Sequence, residues 1–251
     1  MAVEKDKSND KTESSNSSIC KKAAGIKAFV FDMDGLLFDS ERIVQRSWEI
    51  AGDELGIPHM GDIIYHTLGM NRAGRNEYFR KHIREDFPFE EFGELTRDNF
   101  WKIVDKEGLP LKRGAKELLA YGKAQGYKMA VATSSSREYA MGNLIRAGID
   151  SYFDNVICGD MVKKAKPDPE IYQKACESLG IPPADCMAFE DAPGGILSAH
   201  QAGMQVIMVP DLVQPTEEIR NLTYRVCDSL ADVIGDGKSG FFPVPGGFQA
   251  R

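Results

Sequence analysis

Cysteine is scarce and scattered. The five present, Cys20, Cys158, Cys176, Cys186 and Cys227, are odd in number and form no Cys-x-x-Cys pair. That excludes a disulfide frame and a cysteine zinc site. Cys158, Cys176 and Cys186 lie inside apolar runs and read as reduced core thiols of a cytoplasmic protein. The four histidines, His59, His66, His82 and His200, stand at no metal-ligand spacing, which leaves them surface or packing roles. No apolar stretch approaches the roughly 20 residues that cross a membrane. Positive charge is in deficit, with 31 Lys and Arg against 38 Asp and Glu, a net charge of −7. This balance argues against nucleic acid or an anionic membrane surface as partner. An acidic protein that handles an anion must gather positive charge locally, through a metal or a few placed Lys and Arg. Large apolar groups are nearly missing from Met1 to Lys22, so residues 1–24 are predicted to be a disordered tail. The tail has no apolar stretch for a signal peptide, and its acids Glu4, Asp6, Asp10 and Glu13 are foreign to a mitochondrial transit peptide.

What is present is ordinary in bulk and specific in detail. At 251 residues, 42% hydrophobic and 27% charged, the chain can build one large α/β domain or two smaller ones. The organising stretch is Ile26 to Ser40. Ile26, Phe29, Val30 and Phe31 make a short apolar run, the pattern of a parallel strand buried on both faces. It stops at Asp32, with Asp34 and Gly35 following. Two carboxylates at the end of a buried strand are costly unless a cation compensates them, and open α/β sheets bind ligands at that edge. Asp32 and Asp34 therefore read as a reacting pair beside a metal ion, or, more plainly, as turn residues that close a strand.

From Glu41 to Gly108 the periodicity is helical throughout, with Val44, Trp48, Ala51 and Leu55 on one face of the first helix. Further helices are predicted over Asp62 to Leu68, Arg72 to Ile83 and Glu90 to Glu107. Trp48 and Trp101 are read as core of this segment, since aromatics at helical spacing usually pack inward. Strands and helices alternate after Leu111. Helices are predicted over Gly114–Ala124, Arg137–Ala147, Asp168–Leu179 and Gly195–Ala202, and strands over Tyr127–Ala132, Val156–Cys158, Cys186–Phe189 and Gln205–Val209. Asp168 is the expected N-cap of its helix, with Pro169 in the first turn. The fold class is α/β, a doubly wound, Rossmann-like parallel sheet carrying a small inserted helical domain. The predicted division is a core of 25–40 and 111–237, a helical cap of 41–110, and tails at 1–24 and 238–251.

The carboxyl ends of such strands share one edge. Thr133-Ser134-Ser135-Ser136 follows one strand and opens a helix, which suits an anion. Ser135 with Glu138 has capping-box spacing, leaving Thr133 to face the ligand. Lys166 precedes a well-signalled helix, and Glu190-Asp191 ends another strand. Four acids at one edge repel without a cation, and Mg²⁺ takes such oxygen ligands.

Asp32-Met33-Asp34-Gly35, Thr133, Lys166 and Glu190-Asp191 resemble the four ordered motifs of the haloacid dehalogenase superfamily. Glu190 to Met204 and Lys166 to Pro169 resemble its β-phosphoglucomutase-like branch, over roughly Gly25 to Ile234. The resemblance implies a small phosphorylated metabolite as substrate and Mg²⁺ as cofactor, held by Asp32, the Asp34 carbonyl and Asp191, with Glu190 contributing directly or through water. It implies Asp32 as nucleophile of an aspartyl-phosphate intermediate, Asp34 as general acid and base, and Thr133, Ser134 and Lys166 around the phosphoryl group. Dehalogenases of the superfamily lack the second aspartate, which this chain has. The mutases carry a cap histidine where this chain has Val44, which favours a phosphatase. Gly69-Met70-Asn71-Arg72 resembles the cap's Gly-x-x-Arg loop, so Arg72 either contacts substrate or is exposed near a helix start. A β-phosphoglucomutase-type mutase is the alternative, and an inactive binding protein on the same fold is a second. Hinges are expected near Phe38–Ser40 and Gly108–Leu111. Nothing indicates an oligomer, so monomer is the default.

Overall fold

A computed structural model describes residues 25–67, 72–234 and 242. The tail expected over 1–24, the loop Gly69 to Asn71 and most of the tail expected over 238–251 lie outside the described residues, as does the side chain of Arg72. Six parallel strands form one sheet in the order β3-β2-β1-β4-β5-β6. They are β1 Ala28–Phe31, β2 Lys128–Ala132, β3 Asn155–Ile157, β4 Cys186–Glu190, β5 Gln205–Met208 and β6 Arg225–Val226. The central strand β1 is fully buried, as its unbroken apolar run requires. Its neighbours are in level register, Phe31 lying between Val131 and Phe189. Asp32, Ala132 and Glu190 therefore emerge side by side at one edge.

The two faces of the sheet differ in side-chain size. Phe29, Phe31, Met129, Val131, Met187 and Phe189 fill one core with α5 Ala115–Gln125 and α6 Arg137–Arg146. Ala28, Val30, Ala130, Ala132 and Ala188 line the other, and their small side chains admit the closely packed helices α7 Glu170–Leu179, α8 Pro193–Gln201 and α9 Glu217–Leu222.

Between β1 and α5 the chain makes four helices, α1 Ser40–Glu54, α2 Met60–Thr67, α3 Arg72–His82 and α4 Phe89–Glu107. They enclose a separate apolar cluster around Trp48, Met60, Ile64, Phe79, Phe87 and Phe92. The rings of Phe79 and Phe92 meet Trp48 edge-on at 5.7 and 5.6 Å. The chain enters and leaves this segment through one tied junction: the Asp39 N–H donates to the Pro110 carbonyl at 2.9 Å and the Lys112 N–H to the Leu37 carbonyl at 2.8 Å. No helix among the described residues is long and apolar enough to cross a membrane.

Several sequence expectations need correction. Helix α7 begins at Glu170, with Pro169 at its N-cap position. The Asp168 carboxylate instead accepts from the Glu170 N–H at 3.1 Å in a local loop that precedes the helix. Trp101 is not core: it is 38% exposed, its ring edge against Tyr139 at 5.5 Å. Strand β6 and helix α9 went unread, because two residues of strand and six of helix carry no usable period.

Candidate active site

Backbone register delivers Asp32 and Glu190 to one point, and a loop adds the lysine. Asp32 follows β1 and is 7% exposed, and Glu190 closes β4 at 1%. The loop before α7 brings Lys166 across from the opposite side. Its ammonium lies 2.5 Å from Asp32 Oδ1 and 2.6 Å from Glu190 Oε1, and also donates to the Ala132 carbonyl at 2.9 Å. Tyr172, one turn into α7, donates its hydroxyl to the same Glu190 oxygen at 2.6 Å, while its ring lies 5.0 Å from the ammonium. The other Glu190 oxygen accepts from the Asp191 N–H at 3.2 Å. A Cβ on Gly195 would lie 1.8 Å from the Glu190 carboxyl, so that glycine makes room for it. Glu190 is thus braced at both oxygens.

The electrostatics follow from burial and crowding. Burial pushes the Lys166 ammonium toward neutrality, but the combined charge of Asp32 and Glu190 outweighs it, and Lys166 stays protonated well above its ordinary range. Burial pushes Asp32 up; Lys166 opposes this, and the charges of Glu190 and Asp34 add to it. Asp191 is held well above the carboxylate range by burial and then by Asp32 and Glu190. Carboxylate oxygens of Asp32, Glu190 and Asp191 all lie within 4.8 Å of one another, and among the described residues Asp32 and Glu190 share the Lys166 ammonium. A Cβ on Gly35, where φ is +83°, would lie 2.3 Å from Asp191 Oδ2 and 3.4 Å from Asp211 Oδ2. Gly35 therefore supplies both the turn and the space for two acids. Asp211 Oδ2 is buried with no hydrogen-bond partner; its other oxygen pairs with Lys112 at 2.6 Å. Hard oxygen donors, crowded acids and an orphaned carboxylate oxygen alongside them fit a hard divalent cation.

Asp34 stands apart from this cluster. Its Oδ2 accepts from the Ser135 hydroxyl at 2.8 Å and its Oδ1 from the Tyr139 hydroxyl at 3.0 Å. Ser136, not Ser135, caps α6, its hydroxyl accepting from the Tyr139 N–H at 3.4 Å. The cap is therefore one residue later than expected, with Tyr139 and not Glu138 three residues on, so the expected capping box does not form and Ser135 is free to turn inward. Thr133 is buried, and its hydroxyl accepts from the Ser135 N–H at 3.1 Å. Ser134 is exposed at the loop tip. Burial first, and then the negative charge and hydrogen bond of Asp34, hold the Tyr139 phenol far above its usual range, so it remains a donor.

Sequence reasoning missed Tyr139 and Tyr172, each of which reads as one more apolar position on its helix. The available signal was that a buried phenol needs a partner for its hydroxyl. It also missed Glu41 and Asp211, which line one cavity of about 450 Å³ together with Gln45, Tyr65 and Leu212. Burial, with the charges of Asp211 and Asp34, pushes Glu41 up from 4.5 to about 6. A raised acid costs stability above its folded pKa and nothing below its unfolded one. Glu41→Gln in EDTA is therefore expected to raise stability at pH 7.5 by up to about 2 kcal/mol. The gain should fade through pH 6 and be nearly gone by pH 4.5, as thermal melts across that range would read.

The comparisons with known proteins agree with this geometry. The family described as haloacid dehalogenase-like hydrolase matches residues 26–203. The chain is 32% identical over 212 residues to "Putative phosphatase YhcW" of Bacillus subtilis (strain 168), covering 83% of this chain and 94% of that one. It is 31% identical over 182 residues to the phosphorylated carbohydrates phosphatase of Thermotoga maritima, covering 72% and 84%. Among solved structures, CbbY from Rhodobacter sphaeroides in complex with phosphate superposes with a TM-score of 0.65 at 27% identity, covering 83% of this chain and 96% of that one. With its parallel sheet and strand-edge carboxylates, the chain belongs to the haloacid dehalogenase-like hydrolase family and is a phosphatase within it.

Proposed function

We propose that the protein hydrolyses small phosphate monoesters of the sugar-phosphate or nucleotide type with Mg²⁺, through an aspartyl-phosphate on Asp32. The observation that carries this reading is the arrangement of Asp32, Lys166, Glu190 and Asp191 at the carboxyl edge of β1 and β4, with Asp34 two residues beyond the nucleophile. The Thermotoga relative is described as acting on phosphorylated carbohydrates, which supports the substrate class.

Asp32 Oδ1 is engaged by Lys166, so Oδ2 is the oxygen that attacks phosphorus in line. The bond from phosphorus to the ester oxygen breaks as the new bond forms, and Asp34 gives its proton to the departing alkoxide. Water then attacks the aspartyl-phosphate and passes its proton to Asp34, and the Asp32 carboxylate is restored. Lys166 faces the charge on the phosphoryl oxygens, while Thr133 and Ser134 position them. Asp32, the Asp34 carbonyl and Asp191 would hold Mg²⁺, which neutralises phosphoryl charge when bound. Glu190, with both oxygens braced, orients Lys166 and would contribute to holding the metal directly or through water. Residues 41–110 serve as a cap over the core of 25–40 and 111–237, with the Asp39–Pro110 and Lys112–Leu37 junction as its hinge. The cytoplasm, with its supply of phosphorylated metabolites, is the setting this reading assigns.

The test is phosphate release from a panel of phosphate monoesters, with Mg²⁺ and with EDTA. Release at 2 mM Mg²⁺ is expected to exceed that in EDTA by about 10²-fold or more, in line with what a metal supplies to charge stabilisation. β-Glucose 1-phosphate with glucose 1,6-bisphosphate belongs in the panel. Conversion to glucose 6-phosphate with little free phosphate would make the protein a mutase, and equal release in EDTA would remove the metal from the reading.

A further inference from the structure

Tyr139 is the one aromatic hydroxyl among the described residues that reaches Asp34. It sits in the first turn of α6, beside the core edge, and its hydroxyl donates to Asp34 Oδ1 at 3.0 Å while Ser135 takes Oδ2 at 2.8 Å. Its ring does not belong to that edge. It lies 5.5 Å from Trp101 and 6.1 Å from Phe100, both on α4 of the helical segment. One side chain thus touches the acid of the core with its hydroxyl and the inserted helices with its ring.

We propose that Tyr139 is a positioning residue for proton delivery by Asp34, and that α4 fixes where it delivers. This rests on Asp34 being the general acid of the reaction proposed above. Two hydroxyl donors fix the carboxyl plane of Asp34 and stabilise the carboxylate left when its proton passes to the ester oxygen. Tyr139 keeps its own proton throughout. The rings of Trp101 and Phe100 hold the phenol against rotation, so displacing α4 displaces the donor. Trp101, exposed on its outer side, is explained as the clamp on Tyr139 and not as a packing residue.

A role in proton delivery separates esters by leaving group. An alkyl phosphate needs the proton, and p-nitrophenyl phosphate, whose phenolate leaves unaided, scarcely does. In Tyr139→Phe, kcat/KM is expected to fall about tenfold on a sugar monophosphate and by less than twofold on p-nitrophenyl phosphate, with the melting temperature nearly unchanged. Trp101→Ala, which loosens the clamp and keeps the hydroxyl, should give the same selective fall in smaller measure. Equal falls on both esters in Tyr139→Phe would reduce Tyr139 to a structural residue, and no fall on either would remove it from the reaction. Asp34→Asn in the same assay separates the two readings. If that variant loses the alkyl ester selectively and Tyr139→Phe does not, only the positioning role fails; if Asp34→Asn spares both esters, the acid role fails and this inference with it.

Discussion

Asp32→Asn is expected to abolish turnover, by about 10⁴-fold or more, while leaving the fold intact. An amide has no anionic oxygen to attack phosphorus, yet it matches the carboxylate in shape and can still accept the Lys166 hydrogen bond. Burial and neighbouring acids hold the Asp32 carboxyl above its ordinary range, so the charge costs the folded state stability at neutral pH. Removing it should leave the melting temperature of the metal-free protein unchanged or higher. Loss of rate without loss of stability marks a residue kept for chemistry. Phosphate release and a thermal melt on one preparation check both halves, and retention of even a tenth of wild-type activity would exclude Asp32 as nucleophile.

Lys166→Met should show the opposite pairing, with rate and stability falling together. Its side chain is 9% exposed and its ammonium lies within 2.6 Å of both Asp32 and Glu190. Without it those two carboxylates, with Asp191 beside them, have no cationic partner among the described residues, and breaking a buried pair from one side costs on the order of 3 kcal/mol. The deficit should be largest above pH 7 and shrink toward pH 5, as the acids take up protons in place of the missing charge. Activity with Mg²⁺ should fall about 10²- to 10³-fold, the usual effect of removing one donor to developing charge. Denaturant melts at pH 5 and 8 test the stability claim. A deficit independent of pH would mean that Lys166 matters for packing and not for charge.

The parts of the site that were legible in the sequence are those in which a strand ends. A buried run that breaks into charge, as at Phe31-Asp32 and Phe189-Glu190, says where the carboxylates lie. Parallel register then brings them together without further information. Lys166 was legible for a different reason, as a lysine fixed by the well-signalled start of a helix. Side chains that act from inside a helix were not. Tyr172 and Tyr139 occupy positions whose period gives no hint that a hydroxyl is aimed at Glu190 or Asp34. Choosing between Ser135 and Ser136 as the cap depends on which hydroxyl Asp34 draws inward, a contact between residues 101 positions apart. Trp101 fails the aromatic-inward rule because its partner, Tyr139, lies on α6 of the core and not in the helical segment. Asp211 and Glu41 come to line one cavity because the loop after β5 passes near the start of α1, and no local pattern announces that approach.

The most direct test of the account is to quench the enzyme in acid during turnover of a good ester with Mg²⁺ and map the peptides by mass spectrometry. The account expects a phosphoryl adduct on the carboxylate of Asp32, lost on treatment with hydroxylamine and absent from Asp32→Asn. Steady turnover with no adduct on any peptide, or an adduct carried by another residue, would contradict it.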